Sequence, residues 1–313
     1  MTSLKKRYFR IAVLLFTLVL CILITEIWRR DVVDSLDVLD ERNLNYRCDS
    51  DLGWFPIENS TKSFTGSRTI NVKHNSRGFR DSEHIIETKP RIIFLGDSFV
   101  WGYDVEKEER FTEKLRIKLP NWSIYNFGVS GYGTDQEYLL LKKHYDFYKP
   151  NIVFLVFYND DIDNSTNIRH GGYFKPYFMA DGNKLKLGGT PVPKSENYFF
   201  GKHRILAQSY CVRFAVMLYL KCVNPPEVEL KNPTLPILEN MHKFLNDKGA
   251  QFIIGLGASN LELEKFLTSK NIPYVRLSNP YTYPGAGQHW TPEGHTFVSE
   301  QIYDFLMKGN YFR

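Results

Sequence analysis

Short apolar runs alternate with amphipathic segments along the chain from about residue 91 to its end. The runs have the length and composition of buried strands, and the segments between them carry apolar residues at helical spacing. Strands that alternate with helices predict a parallel sheet covered by helices on both faces. The predicted strands are Ile92–Leu95, Ser123–Phe127, Ile152–Phe157, Gln251–Leu256 and Pro273–Leu277. The predicted helices are Glu108–Leu119, Thr134–Tyr148, Leu235–Lys248, Leu261–Ser269 and Pro292–Met307.

An apolar stretch near the N-terminus has a different pattern. Residues 11–28 approach the roughly 20 apolar residues that cross a bilayer, and they follow a basic tail over residues 1–10. Thr25–Arg30 offers no small-residue cleavage site, which favours an uncleaved signal anchor over a cleaved signal peptide. More basic residues precede the stretch than follow it, so we expect the N-terminus in the cytoplasm and the remaining chain outside the cytoplasmic membrane.

Two regions break the alternation of strands and helices. Residues 29–88 begin with a charged, periodic segment, predicted as a helix over 31–45, and continue as a small β-rich lead-in to the main domain. Within residues 89–313, a stretch at about 163–231 is rich in Gly, Pro and aromatic residues. It is long for a loop, so it predicts an inserted lid or substrate-binding segment with one helix near Ile205–Leu220. The β-like pieces of the lead-in are Leu52–Trp54, Ser67–Lys73 and Asn75–Arg80.

Composition and charge exclude several classes of protein. The 313 residues are 43% hydrophobic and 24% charged, which is typical of a globular protein with a real core. The net charge of +5 includes no block of like charge and no nucleic-acid-binding motif, so nucleic acid is not an expected partner. The cysteines are too few and too scattered for a disulfide scaffold and lack the spacing of metal ligands; they are Cys21, Cys48, Cys211 and Cys222.

Residues with chemical potential follow the ends of separate predicted strands. Ser98 follows the first strand, at the edge where open α/β sheets hold their ligands. Taken alone, Asp97 and Ser98 could equally be capping residues of the next turn. A glycine-rich turn over 128–133 follows the second strand, Asn159 follows the third, and His289 precedes the last helix. Such a set matches a nucleophile, oxyanion donors and a base.

The order and spacing of these segments resemble those of the SGNH (GDSL-type) hydrolase superfamily, from about residue 91 to the end with the insertion excepted. Gly96–Phe99 looks like the first block and Asn126–Thr134 like the second. The resemblance implies that Ser98 is the nucleophile and His289 the catalytic histidine. It also implies an oxyanion hole formed by the N–H groups of Ser98 and Gly131 and the side-chain amide of Asn159, with no cofactor or metal.

The predicted fold class is α/β. We expect a flavodoxin-like three-layer α/β/α domain with a five-stranded parallel sheet, preceded by the transmembrane helix and the β-rich lead-in. His295, which follows the proposed catalytic histidine, is interpreted as a structural residue at the first turn of the last helix.

The chain departs from the superfamily at the acid that usually precedes the histidine by two or three residues. Those positions hold Gly287 and Ala286. Three explanations stay open. A main-chain carbonyl in Tyr283–Gly287 orients the imidazole of a Ser–His dyad, a remote acid substitutes, or the site is weak or inactive. The candidate remote acids are Asp160, Asp161 and Glu293.

The leading hypothesis for function is a membrane-anchored serine esterase or O-acetyl transferase. Its substrate would be acylated envelope or exported polysaccharide or another ester, with a membrane acyl-donor protein as a candidate partner. The rival from another class is a non-catalytic carbohydrate-binding or assembly protein on a degenerate fold. A metal-dependent deacetylase is not expected, because no His/Asp cluster has ligand spacing. Aromatic residues of the insertion could stack on sugar rings or pack inside a lid; they are Tyr173, Phe174, Tyr177, Phe178, Tyr198, Phe199 and Phe200.

Overall fold

The computed structural model describes residues 3–28, 45–181, 184–223, 230–285 and 287–312. The chain divides into two compact units, Met1–Leu44 with Lys194–Pro226, and Asn45–Pro193 with Glu227–Arg313. The helix predicted over 31–45 lies outside the described residues except at its last position.

The strands and helices follow one another in the order expected for an α/β protein with an added N-terminal region. The strands are β1 (Tyr46–Asp49), β2 (Gly53–Pro56), β3 (Thr61–Thr65), β4 (Thr69–Lys73), β5 (Arg91–Gly96), β6 (Ser123–Gly128), β7 (Ile152–Phe157), β8 (Arg169–His170), β9 (Tyr173–Phe174), β10 (Tyr177–Asp181), β11 (Lys184–Gly188), β12 (Gln251–Leu256) and β13 (Tyr274–Arg276). The helices are α1 (Ser3–Trp28), α2 (Ser98–Trp101), α3 (Phe111–Lys118), α4 (Thr134–Tyr148), α5 (Asp160–Thr166), α6 (Glu196–Lys202), α7 (Tyr210–Val223), α8 (Thr234–Asp247), α9 (Leu261–Ser269) and α10 (Pro292–Lys308).

A five-stranded parallel sheet is the centre of the second unit. Its spatial order is β13-β12-β7-β5-β6, the flavodoxin-like order that the sequence predicts. Ile92, Phe94 and Phe154 pack in one cluster with the apolar faces of α3 and α10. Successive side chains point to opposite faces of a strand, and on the other face α4 and α8 pack on β5 and β12. The three-layer prediction is confirmed.

The β-rich lead-in consists of two antiparallel hairpins, β1–β2 and β3–β4. The third piece predicted there, Asn75–Arg80, is not a strand. The Asn75 side-chain oxygen accepts hydrogen bonds from the N–H groups of Arg77 and Phe79, and Gly78 takes φ +87°. A side chain that bonds its own backbone in this way favours a turn over an extended strand.

The predicted insertion is divided between the two units. The small hairpins β8–β9 and β10–β11 belong to the second unit, whereas α6 and α7 belong to the first. Within the second unit, an ion pair between two fully buried side chains fixes the hairpins to the rest of the unit. It joins Lys175, between β9 and β10, to Asp135 at the start of α4. Within the described residues 194–223, the sequence predicts one helix and the structure has two, α6 and α7, because the aromatic run in α6 hides its helical period.

A buried polar network fixes β6, which carries the second sequence block, to the β5–α2 turn that carries Ser98. The Asn126 side chain donates from Nδ2 to the Val100 carbonyl (2.7 Å) and accepts at Oδ1 from the Gly128 N–H (2.9 Å). Its own N–H donates to the carboxylate of Asp81 (2.9 Å), which also pairs with His84. Buried polar groups satisfied on all sides in this way set one geometry for the turn.

Candidate active site

The β5–α2 turn positions Ser98 at the carboxyl edge of the sheet. Asp97 caps the turn, its Oδ1 accepting the N–H of Phe99 at 2.9 Å. The turn lies directly on β6, since a Cβ added at Gly128 would be 2.1 Å from the Trp101 nitrogen. Only a residue without a side chain permits this approach, so glycine at position 128 determines where Ser98 can lie.

The last loop brings His289 to Ser98 across 191 positions of sequence. Ser98 Oγ lies 2.8 Å from His289 Nε2, which is hydrogen-bonding distance for a hydroxyl donating to a neutral imidazole. Burial lowers the pKa of His289 from its ordinary 6.5 to about 4, against a smaller opposing effect of the Asp104 charge. The ring is therefore neutral at neutral pH, the state in which it can accept a proton.

The two other predicted site residues flank Ser98. In the sheet, β5 lies between β6 and β7, so the loops that follow those strands lie on either side of the nucleophile turn. Gly131, in the loop after β6, has φ +76°, a conformation that favours glycine. Asn159 follows β7, and its Oδ1 accepts from the Asn260 amide at 3.1 Å. This bond leaves the NH₂ end of Asn159 as the end that can donate to an oxyanion.

None of the described residues hydrogen-bonds to Nδ1 of His289. The carboxylate of Asp161 faces its own turn, where Oδ2 accepts the N–H of Tyr158 at 2.8 Å. Glu293 is exposed in the first turn of α10 and bonds to Thr291. The side chain of Asp160 lies outside the described residues. The ring thus lacks a carboxylate partner in the described part of the loop.

The geometry at Gly287 explains why the usual acid is missing there. A Cβ built on this glycine would lie 2.7 Å from Cε1 and 3.1 Å from Nδ1 of His289, and the residue has φ +83°. A side chain at this position would collide with the imidazole. The backbone at Gly287 therefore contacts the imidazole directly. The SGNH superfamily usually has a carboxylate beside the ring in this part of the loop.

An aromatic side chain lies against the imidazole. The ring of Tyr103 stacks on His289 with centroids 4.1 Å apart and planes 20° apart. Phe64, from β3, contacts Tyr103 edge-on at 4.9 Å. A stacked neighbour restricts rotation of the imidazole about χ2, which is the orienting part of the role of a triad acid.

Three further rings connect the segments that carry the site residues. Phe99, next to Ser98, stacks on Tyr158 at 3.8 Å with planes 6° apart, and Tyr158 precedes Asn159. Trp290, next to His289, donates from Nε1 to the Tyr158 hydroxyl at 2.8 Å. Contacts between the chain neighbours of Ser98, Asn159 and His289 therefore fix the positions of the three segments relative to one another. The sequence does show this signal, as an aromatic residue adjoins each of the three polar positions.

Both hairpins of the lead-in contact the site, which the sequence does not predict. Trp54 in β2 donates to the carbonyl of Ser130 (3.1 Å), and its own carbonyl accepts from the Tyr132 hydroxyl (2.6 Å). These bonds hold both neighbours of Gly131. At the tip of β3–β4, Arg68 interacts electrostatically with Tyr283. The N–H of Tyr283 donates to the carbonyl of His289 (2.8 Å).

His295 and the buried aromatic residues of the insertion pack in the interior, away from the Ser98–His289 contact. His295 is buried in the first turn of α10, stacked on Phe111 and accepting that residue's N–H at 3.3 Å. Among the insertion aromatics, four are buried and fill the interior, which favours packing over sugar stacking for them; they are Tyr173, Phe174, Phe178 and Phe200.

The sequence matches a known protein family. The family model of GDSL-like lipase/acylhydrolase matches residues 92–302, two thirds of the chain. No curated protein matches it significantly. Solved structures with a similar fold include a member of the lipolytic protein G-D-S-L family from Veillonella parvula DSM 2008 (13% identity, TM-score 0.42, covering 70% of this chain and 98% of that one). Another is the psychrotrophic esterase EstA from Pseudoalteromonas sp. (12%, TM-score 0.41, covering 71% and 99%). A third is the acetyl xylan esterase AlAXEase (11%, TM-score 0.40, covering 68% and 98%). The family match over most of the parallel sheet and its flanking helices places this chain in the GDSL-like lipase/acylhydrolase family.

Proposed function

We propose that this protein is a membrane-anchored serine esterase or O-acyl transferase that works through a Ser98–His289 dyad. The observation that carries the proposal is the 2.8 Å contact between Ser98 Oγ and His289 Nε2 at the carboxyl edge of the sheet. The chemistry of the family, hydrolysis of acyl esters, needs a nucleophile and base in this relation.

The proposed reaction has two steps. Ser98 Oγ attacks the ester carbonyl while His289 Nε2 takes the hydroxyl proton, and the imidazolium then protonates the leaving alcohol. Water or a sugar hydroxyl next attacks the acyl-serine and gives up its proton to the same nitrogen. The imidazolium returns this proton to Ser98 Oγ as the acyl–oxygen bond breaks, which regenerates the free serine. The N–H groups of Ser98 and Gly131 and the amide of Asn159 would hold the oxyanion, each contributing roughly 2.7–4 kcal/mol.

The buried imidazole sets the pH dependence of the reaction. With a His289 pKa of about 4, we expect kcat/KM for a simple ester to stay level from about pH 5 to 8. Below about pH 4 it should fall roughly tenfold per pH unit, because the protonated ring cannot accept the Ser98 proton. A pH–rate profile, with circular dichroism at each pH to exclude unfolding, measures this. A limb near 6.5, the ordinary histidine value, would contradict it.

The N-terminal helix supports a location at a membrane. Residues Lys5–Ile24 of α1 are long and apolar enough to span a bilayer, and they are exposed along their whole length. The basic excess before the span favours a cytoplasmic N-terminus and an extracytoplasmic hydrolase domain. An outward-facing esterase at this place would meet acylated envelope or exported polysaccharide, and a membrane protein could supply acyl groups for transfer.

Trapping the acyl-enzyme tests this function. The full chain is incubated with an O-acetylated polysaccharide, quenched in acid and measured by intact mass and peptide mapping. We expect one acetyl group on Ser98 and none on the Ser98→Ala variant. Adding a sugar acceptor then separates transfer from hydrolysis, since transfer acetylates the acceptor and lowers the free acetate released. An acetyl group on both proteins would show that Ser98 is not the nucleophile.

A further inference from the structure

We propose that α7, together with the exposed segment before it, forms a second membrane contact lying in the interface of the bilayer. The inference rests on the proposed anchoring of the chain by α1. It goes beyond that proposal because it assigns a lipid-binding surface to part of the insertion.

The exposed side of α7 is an apolar stripe. At fourteen residues, α7 is too short to span a bilayer, which needs about 20. An adjoining side is occupied, since Val212, Val216 and Met217 pack against the buried Phe200 and Ala207. An apolar stripe that repeats at helical spacing and faces outward is typical of helices that lie in a membrane interface. The exposed stripe consists of Ala215, Leu218, Tyr219, Cys222 and Val223.

The first turn of α7 is hydrogen-bonded to the C-terminal end of α1. The carboxylate of Glu26 accepts the N–H groups of Tyr210 (2.8 Å) and Cys211 (3.0 Å), and it accepts the Ser209 hydroxyl (3.2 Å). Glu26 comes two residues after the apolar span Lys5–Ile24. It satisfies N–H groups that every helix leaves open at its first turn. Because these contacts lie within one compact unit, α7 begins at the level where α1 leaves the bilayer.

The segment before α7 has the charge that suits lipid headgroups. Lys202 and Arg204 are exposed beside Ile205, which is 83% exposed, and Leu206. Residues 194–223 contain five basic residues and a single acid, Glu196, which is buried. Basic side chains next to exposed apolar ones bind anionic headgroups and acyl chains together. The basic residues of 194–223 are Lys194, Lys202, Arg204, Arg213 and Lys221.

Fluorescence depth measurement tests the proposal on the full chain in vesicles of phosphatidylcholine and phosphatidylglycerol. Cys222 lies on the stripe, so replacing Cys21, Cys48 and Cys211 by serine leaves one site for an NBD label. The matched control also carries Cys222→Ser and places the label by Ile117→Cys, an 81% exposed position on α3. We expect a blue shift, loss of iodide quenching and strong quenching by nitroxide lipid for the label at 222. We expect none of these at 117.

A second probe and two further outcomes keep the test decisive. Leu218→Cys in place of Cys222 labels the same stripe one turn earlier and should give the same result. Equal iodide quenching at 222 and 117 overturns the proposal. Protection from iodide without quenching by nitroxide lipid also overturns it, because a second copy of the chain would then cover the stripe. Ester turnover is measured on the same vesicles, so a solvent-exposed α7 with intact turnover refutes this inference and leaves the proposed function standing.

Discussion

Replacing Ser98 by alanine is expected to lower kcat/KM for p-nitrophenyl acetate by at least about 10³-fold, with thermal unfolding unchanged. The substitution removes the oxygen that lies 2.8 Å from His289 Nε2 and leaves the oxyanion donors in place. The backbone N–H of residue 98 and the Asp97 cap stay, so the turn itself has no reason to move. Initial rates and burst amplitude for the two proteins measure the effect.

The matched control is Ser123→Ala. Ser123 begins β6 at the opposite edge of the sheet, where its hydroxyl donates to Glu87 at 3.1 Å. We expect rates within about twofold of the wild type, because the lost hydroxyl lies at the amino end of the strand, away from Ser98, and bonds to the exposed Glu87. Equal and negligible rates for wild type and Ser98→Ala, on simple esters and on acetylated glycans, would support the non-catalytic carbohydrate-binding alternative.

Replacing Tyr103 by alanine is expected to lower kcat by about 10²-fold with little change in KM, because a base displaced by about 1 Å loses that much. Without the stacked ring at 4.1 Å, the imidazole of His289 can rotate away from Ser98. The ring would also be more hydrated, so the His289 pKa should rise from about 4 towards 6.5. The acid limb of the pH–rate profile should shift to higher pH in parallel.

Tyr103→Phe is the matched control for this effect. It keeps the stacked ring and the edge-on contact with Phe64 and removes only the hydroxyl. Nearly full kcat and an unshifted acid limb are expected for it. If Tyr103→Ala kept full kcat, or if the phenylalanine variant lost as much activity as the alanine variant, orientation of His289 by stacking would be refuted.

Much of the sheet and the central pair of the site can be predicted from the sequence, for identifiable reasons. Strands buried on both faces must be apolar throughout, and this makes β5 and β7 visible as runs such as Ile152–Phe157. Ser98 stands out as a reactive side chain at the end of such a strand, and His289 as one in the loop before the last helix. Their contact depends on chain topology, which the alternation of strands and helices already specifies.

The groups that support the site leave little trace in the sequence. Tyr103 follows a glycine in an irregular turn, and no periodicity distinguishes it from any other half-buried aromatic residue. Trp54 contacts the turn around Gly131 through the carbonyl of Ser130 and through its own carbonyl, and every residue has such a group. The need for a glycine at position 287 is apparent only from the close approach of the His289 imidazole to the Gly287 backbone. Long-range contacts of this kind become apparent only from the folded coordinates.

The lead-in hairpins also change what counts as the functional part of this chain. The family match begins at residue 92, yet Trp54, which bonds to both neighbours of Gly131, and Arg68, which interacts with Tyr283 in the loop before His289, both lie upstream of it. Cleavage or alteration within residues 45–80 would therefore disturb the proposed oxyanion turn around Gly131 and the proposed base His289 from a distance, with both side chains of the dyad intact. The family domain, residues 92–302, carries Ser98 and His289. The geometry around them also depends on the lead-in hairpins, which lie outside that domain.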